Sequence, residues 1–95
     1  MSAKKQLELT RRAFRNIAAA EEYISRENPP AAQRVVNAIY KAAESFELFP
    51  EIGRPGRVPG TRELPLEKYP YIIAYRVRAS KVVVYAVLHD AMQYP

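Results

Sequence analysis

Hydrophobic and polar positions are most sharply patterned near the end of the chain. Val82 to Leu88, VVVYAVL, is an unbroken apolar run rich in β-branched and aromatic residues. Such a run fits an interior strand covered on both faces. Tyr71 to Arg78, YIIAYRVR, reads as a second strand, and the intervening Ala79-Ser80 is short enough for a hairpin loop. With that loop, Val77 lies opposite Val82, Tyr75 opposite Val84, Ile73 opposite Ala86 and Tyr71 opposite Leu88, all on one apolar face. The other face takes Ile72, Ala74, Arg76, Arg78, Lys81, Val83, Tyr85, Val87 and His89. It is mixed in character, and Arg76, Arg78, Tyr85 and His89 make it the candidate working surface. The plain alternative is that the two arginines are solvated residues near a turn and that His89 merely ends a strand.

Upstream the period changes. Lys5 to Leu9, KQLEL, alternates weakly, with Leu7 and Leu9 on one side, and predicts a first strand at a sheet edge. Thr10 is placed to cap a helix from Arg11 to about Glu27, with Ala13, Phe14, Ile17, Ala20 and Ile24 as its apolar stripe. Arg11, Arg12 and Arg15 sit at the end of that helix where the dipole favours acids, a placement read as ordinary surface. Asn28-Pro29-Pro30 breaks the chain. A second helix follows from about Pro30 to Leu48, with Ala32, Val35, Val36, Ile39, Ala43, Phe46 and Phe49 as its stripe. The short link makes an antiparallel helical hairpin, with Tyr23 and Tyr40 at the core margin. Pro50 to Gly60, PEIGRPGRVPG, contains all three glycines of the chain and carries Arg54 and Arg57. It reads as a loop without the spacing of a phosphate-binding loop. Thr61 to Glu67 is a further strand, with Arg62, Leu64 and Leu66 on one side. Residues 1–95 thus form a single α+β domain. A first strand and a helical hairpin precede a three-stranded antiparallel meander, and one sheet packs on the helices.

Composition narrows the chemistry. The 95 residues include no cysteine and one histidine, which excludes disulfides and thiolate metal sites and makes an imidazole-rich metal site implausible. No metal or cofactor is expected. There is no apolar run long enough to span a membrane and no signal-peptide core at the start, so a soluble cytoplasmic protein is the simplest reading. The formal charge of +5 is uneven: residues 54–95 carry seven Lys/Arg against three Asp/Glu, while residues 1–53 carry eight against seven. A basic sheet and loop suit a polyanionic partner, or a basic surface kept for solubility.

Several stretches resemble the RelE/ParE superfamily of bacterial type II toxins. They are Phe49-Pro50, Gly53-Arg54-Pro55-Gly56, Val58 to Leu64 (VPGTREL), Tyr71 to Val77 (YIIAYRV), Val87-Leu88-His89 and the closing Tyr94-Pro95. Their joint order, more than any one of them, carries the resemblance. It implies a growth-inhibiting toxin held by a cognate antitoxin. It also implies one of two targets: messenger RNA cut in the ribosome, or DNA gyrase poisoned by binding. Aligned on the Tyr71–Tyr75 strand, the lysines of the ribonuclease members fall at Glu63 and Pro65, and their arginine falls at Ile72. None is kept, so the resemblance favours a ParE-like gyrase inhibitor over a ribosome-dependent endoribonuclease. On the first reading Arg54, Arg57, Arg62, His89 and Tyr94 are the candidate target-binding residues. On the second, His89, Arg76, Arg78 and Tyr94 would form the catalytic set. A third class, an interaction domain that keeps the fold without toxicity, is open on sequence alone.

Overall fold

The computed structural model describes residues 4–91. In chain order its elements are β1 (Gln6–Leu9), α1 (Arg11–Ser25), α2 (Pro29–Ser45), β2 (Arg54–Pro55), β3 (Arg62–Pro65), β4 (Tyr71–Val77) and β5 (Lys81–His89). The strands form one sheet in the order β1-β5-β4-β3-β2. β1 runs parallel to β5 and every other neighbouring pair is antiparallel. The α+β architecture is as the sequence predicts, with β1 at an edge. The short β2 is additional, formed inside the glycine-containing stretch read as loop.

Local chemistry sets the helix boundaries. The Thr10 hydroxyl accepts the Ala13 N–H at 3.1 Å and donates to the Tyr85 carbonyl at 3.1 Å, so one side chain both caps α1 and ties it to β5. Beyond Leu9 the edge of β5 has no strand beside it. There the Asn16 carboxamide oxygen accepts the Val87 N–H at 3.0 Å. Asn28 caps α2 by accepting the Ala31 N–H at 3.1 Å, and the prolines follow at the first helical positions, where a missing N–H is harmless. Both helices end earlier than predicted, at Ser25 and Ser45. Phe49 therefore falls outside the helical phase and is exposed, as is Phe14, which lies off the Ala13–Ile17–Ala20 line. Tyr23, expected at the core margin, is also exposed.

The core lies between the helical hairpin and one sheet face. Ile17, Val35, Ile39 and Phe46 meet Ile73, Tyr75, Val82, Val84 and Val87, all buried. Each such side chain contributes about 1.5–3 kcal/mol relative to exposure. No helix of the described residues is long and apolar enough to cross a membrane.

One feature of the β4–β5 pair overturns part of the predicted register. Val77 pairs with Val82 and Tyr75 with Val84, as expected, but Ala74 then pairs with Ala86, Ile73 with Val87 and Tyr71 with His89. The irregularity between Ala74 and Tyr75 leaves Tyr85 as an extra residue, a β-bulge. Past a bulge every side chain changes face. Val87 and His89 consequently turn to the helices, whereas Ala86 and Leu88 turn away and join Ala74 and Tyr85 in a second small apolar cluster. The four-residue working surface expected from strict alternation does not exist as one face.

Candidate functional site

The loop that carries Arg54 and Arg57 is fixed to the sheet from below. Tyr75, fully buried, stacks on Phe46 with ring centroids 3.8 Å apart. Its hydroxyl donates to the Pro50 carbonyl at 2.8 Å and accepts the Gly53 N–H at 2.8 Å. Burial raises the Tyr75 pKa above its ordinary value, opposed by the Gly53 hydrogen bond and the Arg62 charge and reinforced by Glu51. Gly53 is required by close approach, since a Cβ there would stand 2.6 Å from the Tyr75 hydroxyl. Gly60 is required by its backbone, which turns with φ +82.

Glu63 fixes the same loop from the other side. Its carboxylate is 1% exposed, accepts the Arg57 N–H at 2.9 Å, and lies 3.6 Å from Arg54 Nη2 and 3.8 Å from Arg57 Nε. Two guanidinium groups therefore offset the charge that, on sequence alone, would repel phosphate. Arg62 points to the helix side, where Nη1 donates to the Gly53 carbonyl at 2.7 Å and Nη2 sits 3.9 Å from the Glu51 carboxylate. Arg54 and Arg57 remain about half exposed while doing this, and Arg62 less so.

Arg54 and Arg57 reach the rim of a hollow of about 280 Å³, which Tyr69, Tyr71, Ile72 and Asp90 also line. Asp90 follows the last residue of β5, and its N–H donates to the Pro70 carbonyl at 2.8 Å. Two of the predicted target-binding arginines are thus gathered where the C-terminal segment leaves the sheet, and Arg62 is not. Tyr94 lies outside the described residues. Among those residues no cluster of His, Cys, Asp and Glu could hold a metal ion.

His89 sits on the helix side of the sheet, edge-on to Tyr71 with centroids 5.3 Å apart. Its Nδ1 accepts the Ala91 N–H at 3.1 Å, and the Asp90 carboxylate lies 3.6 Å away. A backbone N–H can only donate, so Nδ1 is the acceptor in this contact. Arg76 projects from the opposite face, its guanidinium 5.9 Å from the Tyr85 ring centroid, and Arg78 lies just beyond the end of β4. The bulge has therefore separated the histidine from Arg76, which the sequence grouped with it. Ile72, where the resemblance places an arginine in ribonuclease members, is a buried core residue. The clasp of Tyr75 and Glu63 went unread in the sequence; an acid following a loop with two arginines was the available signal.

The class of protein to which this fold belongs is shown by likeness to known proteins. The family described as the ParE toxin of the type II toxin-antitoxin system parDE matches residues 7–94. The chain is 40% identical over 93 residues to Y4kP of Sinorhizobium fredii, a toxin by name, covering 98% of this chain and 96% of that protein. It is 35% identical over 86 residues to toxin RelE2 of Caulobacter vibrioides, covering 90% and 96%. Among solved structures it is similar to the chromosomal ParDE system of P. aeruginosa, with a TM-score of 0.82 at 26% identity over 93% of this chain and 98% of that one. It shares the fold of the RelBE2 toxin-antitoxin complex of Mycobacterium tuberculosis, with a TM-score of 0.66 at 23% identity over 90% and 98%. The chain belongs to the ParE toxin family, within the RelE/ParE superfamily of type II toxins.

Proposed function

We propose that this toxin acts in the cytoplasm by binding DNA gyrase, and that a cognate antitoxin neutralises it, as the pairing in the ParDE and RelBE2 structures suggests. On this reading it holds gyrase while DNA is cut, so that breaks accumulate and replication stops. The contact surface is the pair Arg54 and Arg57, held in place by Glu63, together with the segment that follows His89. One observation carries the preference for binding over cutting: His89 and Arg76 occupy opposite faces of the sheet. Cleavage of RNA needs a proton-transfer group and phosphate-binding cations within reach of the same phosphodiester. The likeness to toxin RelE2 leaves a second reading standing, a ribosome-dependent messenger endoribonuclease.

Expression in cells without the antitoxin separates the two. The gyrase reading expects chromosome breaks, a DNA-damage response and intact transcripts, with growth restored when the antitoxin is supplied. Cleaved transcripts that become intact in His89→Ala would select the ribonuclease reading. Harmless expression with neither effect would leave only an interaction domain.

A further inference from the structure

One end of the helical hairpin carries charges of the sign its dipoles disfavour. The first turns of α1 expose Arg11 and Arg15 with no acid in the first turn, and the last turn of α2 exposes Glu44 with no base. These two helix ends stand over the same rung of the sheet. The Thr10 N–H donates to the Val84 carbonyl at 3.0 Å, Phe46 stacks on Tyr75, and Tyr75 pairs with Val84. Even so, among the described residues no ion pair holds Arg11, Arg15 or Glu44. The neighbouring acids are engaged: Glu47 lies 3.7 Å from Lys4 and Glu51 3.9 Å from Arg62. The same end is also apolar. Phe14, one helical turn from Arg11, is 50% exposed, and Leu48 and Phe49, just past α2, are 62% and 59% exposed. Leu48 and Phe49 wall a hollow of about 650 Å³. Their turn is fixed, since the Phe49 N–H donates to the Ser45 carbonyl at 2.9 Å and the Pro50 carbonyl accepts the Tyr75 hydroxyl at 2.8 Å. Apolar side chains held in water by a fixed turn mark an interaction surface.

We propose that this end of the hairpin binds a second copy of the chain about a two-fold axis. Arg11 of each copy then faces Glu44 of the other, and Phe14, Leu48 and Phe49 of the two copies cover one another. A two-fold contact uses the same patch twice, so the patch must complement itself. Cations at the start of α1, an acid at the end of α2 and apolar groups beside both meet that condition. A polyanion or an acidic peptide would be repelled by Glu44, and a basic one by Arg11 and Arg15. Pairing here leaves Arg54 and Arg57 open, because Glu63, which holds them, lies beside Ala74 on the face turned from the helices. The inference does not depend on the gyrase reading.

Sedimentation equilibrium of the protein freed from any antitoxin tests this. The unchanged protein should reach twice the mass of one chain at high concentration and dissociate on dilution. Arg11→Glu and Glu44→Arg, each alone, should weaken the pairing about tenfold or more. Both substitutions supply the charge that the helix dipole favours, so folding is preserved. An equimolar mixture of the two variants should pair to within about threefold of the unchanged protein, because every charge again meets its opposite across the axis. Phe49→Ser, at an exposed position, should weaken the pairing about tenfold. A protein that remains a single chain at about 1 mM would overturn the proposal. Pairing that neither charge reversal weakens would place the contact elsewhere. Recovery in the double variant but not in the mixture would make Arg11 and Glu44 partners within one hairpin, and the two-fold contact would fall. Antitoxin binding lost in Arg11→Glu, with self-association unchanged, would give the surface to that partner instead.

Discussion

Tyr75 and Glu63 each hold the arginine loop through groups withdrawn from water, so changes at either should be felt in stability. Tyr75→Phe keeps the ring on Phe46 but strands the Gly53 N–H and removes the bond to Pro50. A loss of about 1–3 kcal/mol in denaturant unfolding is expected. Burial also holds Tyr75 and Tyr71 above the ordinary value of 10.0. The folded state thus binds these protons more tightly than the unfolded chain. Their contribution to stability is complete below about pH 10 and declines as pH rises through the folded-state values. Alkaline unfolding followed by tyrosinate absorbance should show that decline, and Tyr75→Phe should flatten it. Glu63→Ala releases two guanidinium groups that can reach water, so the expected loss is about 1–3 kcal/mol, chiefly from the orphaned Arg57 N–H.

Among the elements, α1 is joined to β5 by two polar side chains as well as by its apolar stripe. Thr10→Ala removes a helix cap and the bond to Tyr85, and should cost about 1–2 kcal/mol. Asn16→Ala leaves the Val87 N–H without its acceptor and should cost about 1–3 kcal/mol in the same measurement. Asn37→Ala, which loses only an exposed bond to Gln33, should be nearly silent. The helices, the cap at Thr10, the break at Asn28-Pro29-Pro30, the edge position of β1 and the hairpin at Ala79-Ser80 were legible because each rests on local chemistry. The bulge was not. Seven consecutive apolar residues from Val82 to Leu88 contain no polar mark to show which face each side chain takes, so alternation was the natural assumption. Tyr85 breaks it, and everything beyond, including His89, lies on the face opposite to the one expected.

The whole molecule shows how that one residue bears on function. Arg54 and Arg57 were recognisable as candidates from the basic, glycine-containing loop, and the fold does gather them beside the root of the C-terminal segment. Arg62 looked equivalent in sequence but serves the loop from the helix side, because its strand partner Tyr75 points there. Of the candidate catalytic residues, His89 and Arg76 stand on opposite faces for the reason that moved His89. The loop that carries Arg54 and Arg57 is tied down by Tyr75, Glu63 and Arg62. The most direct measurement uses the purified toxin, freed from its antitoxin, with DNA gyrase and supercoiled plasmid. The account predicts trapped, cleaved plasmid that depends on gyrase, diminished in Arg54→Glu with Arg57→Glu and abolished by added antitoxin. Unimpaired gyrase turnover, together with messenger cleavage on ribosomes that requires His89, would contradict it.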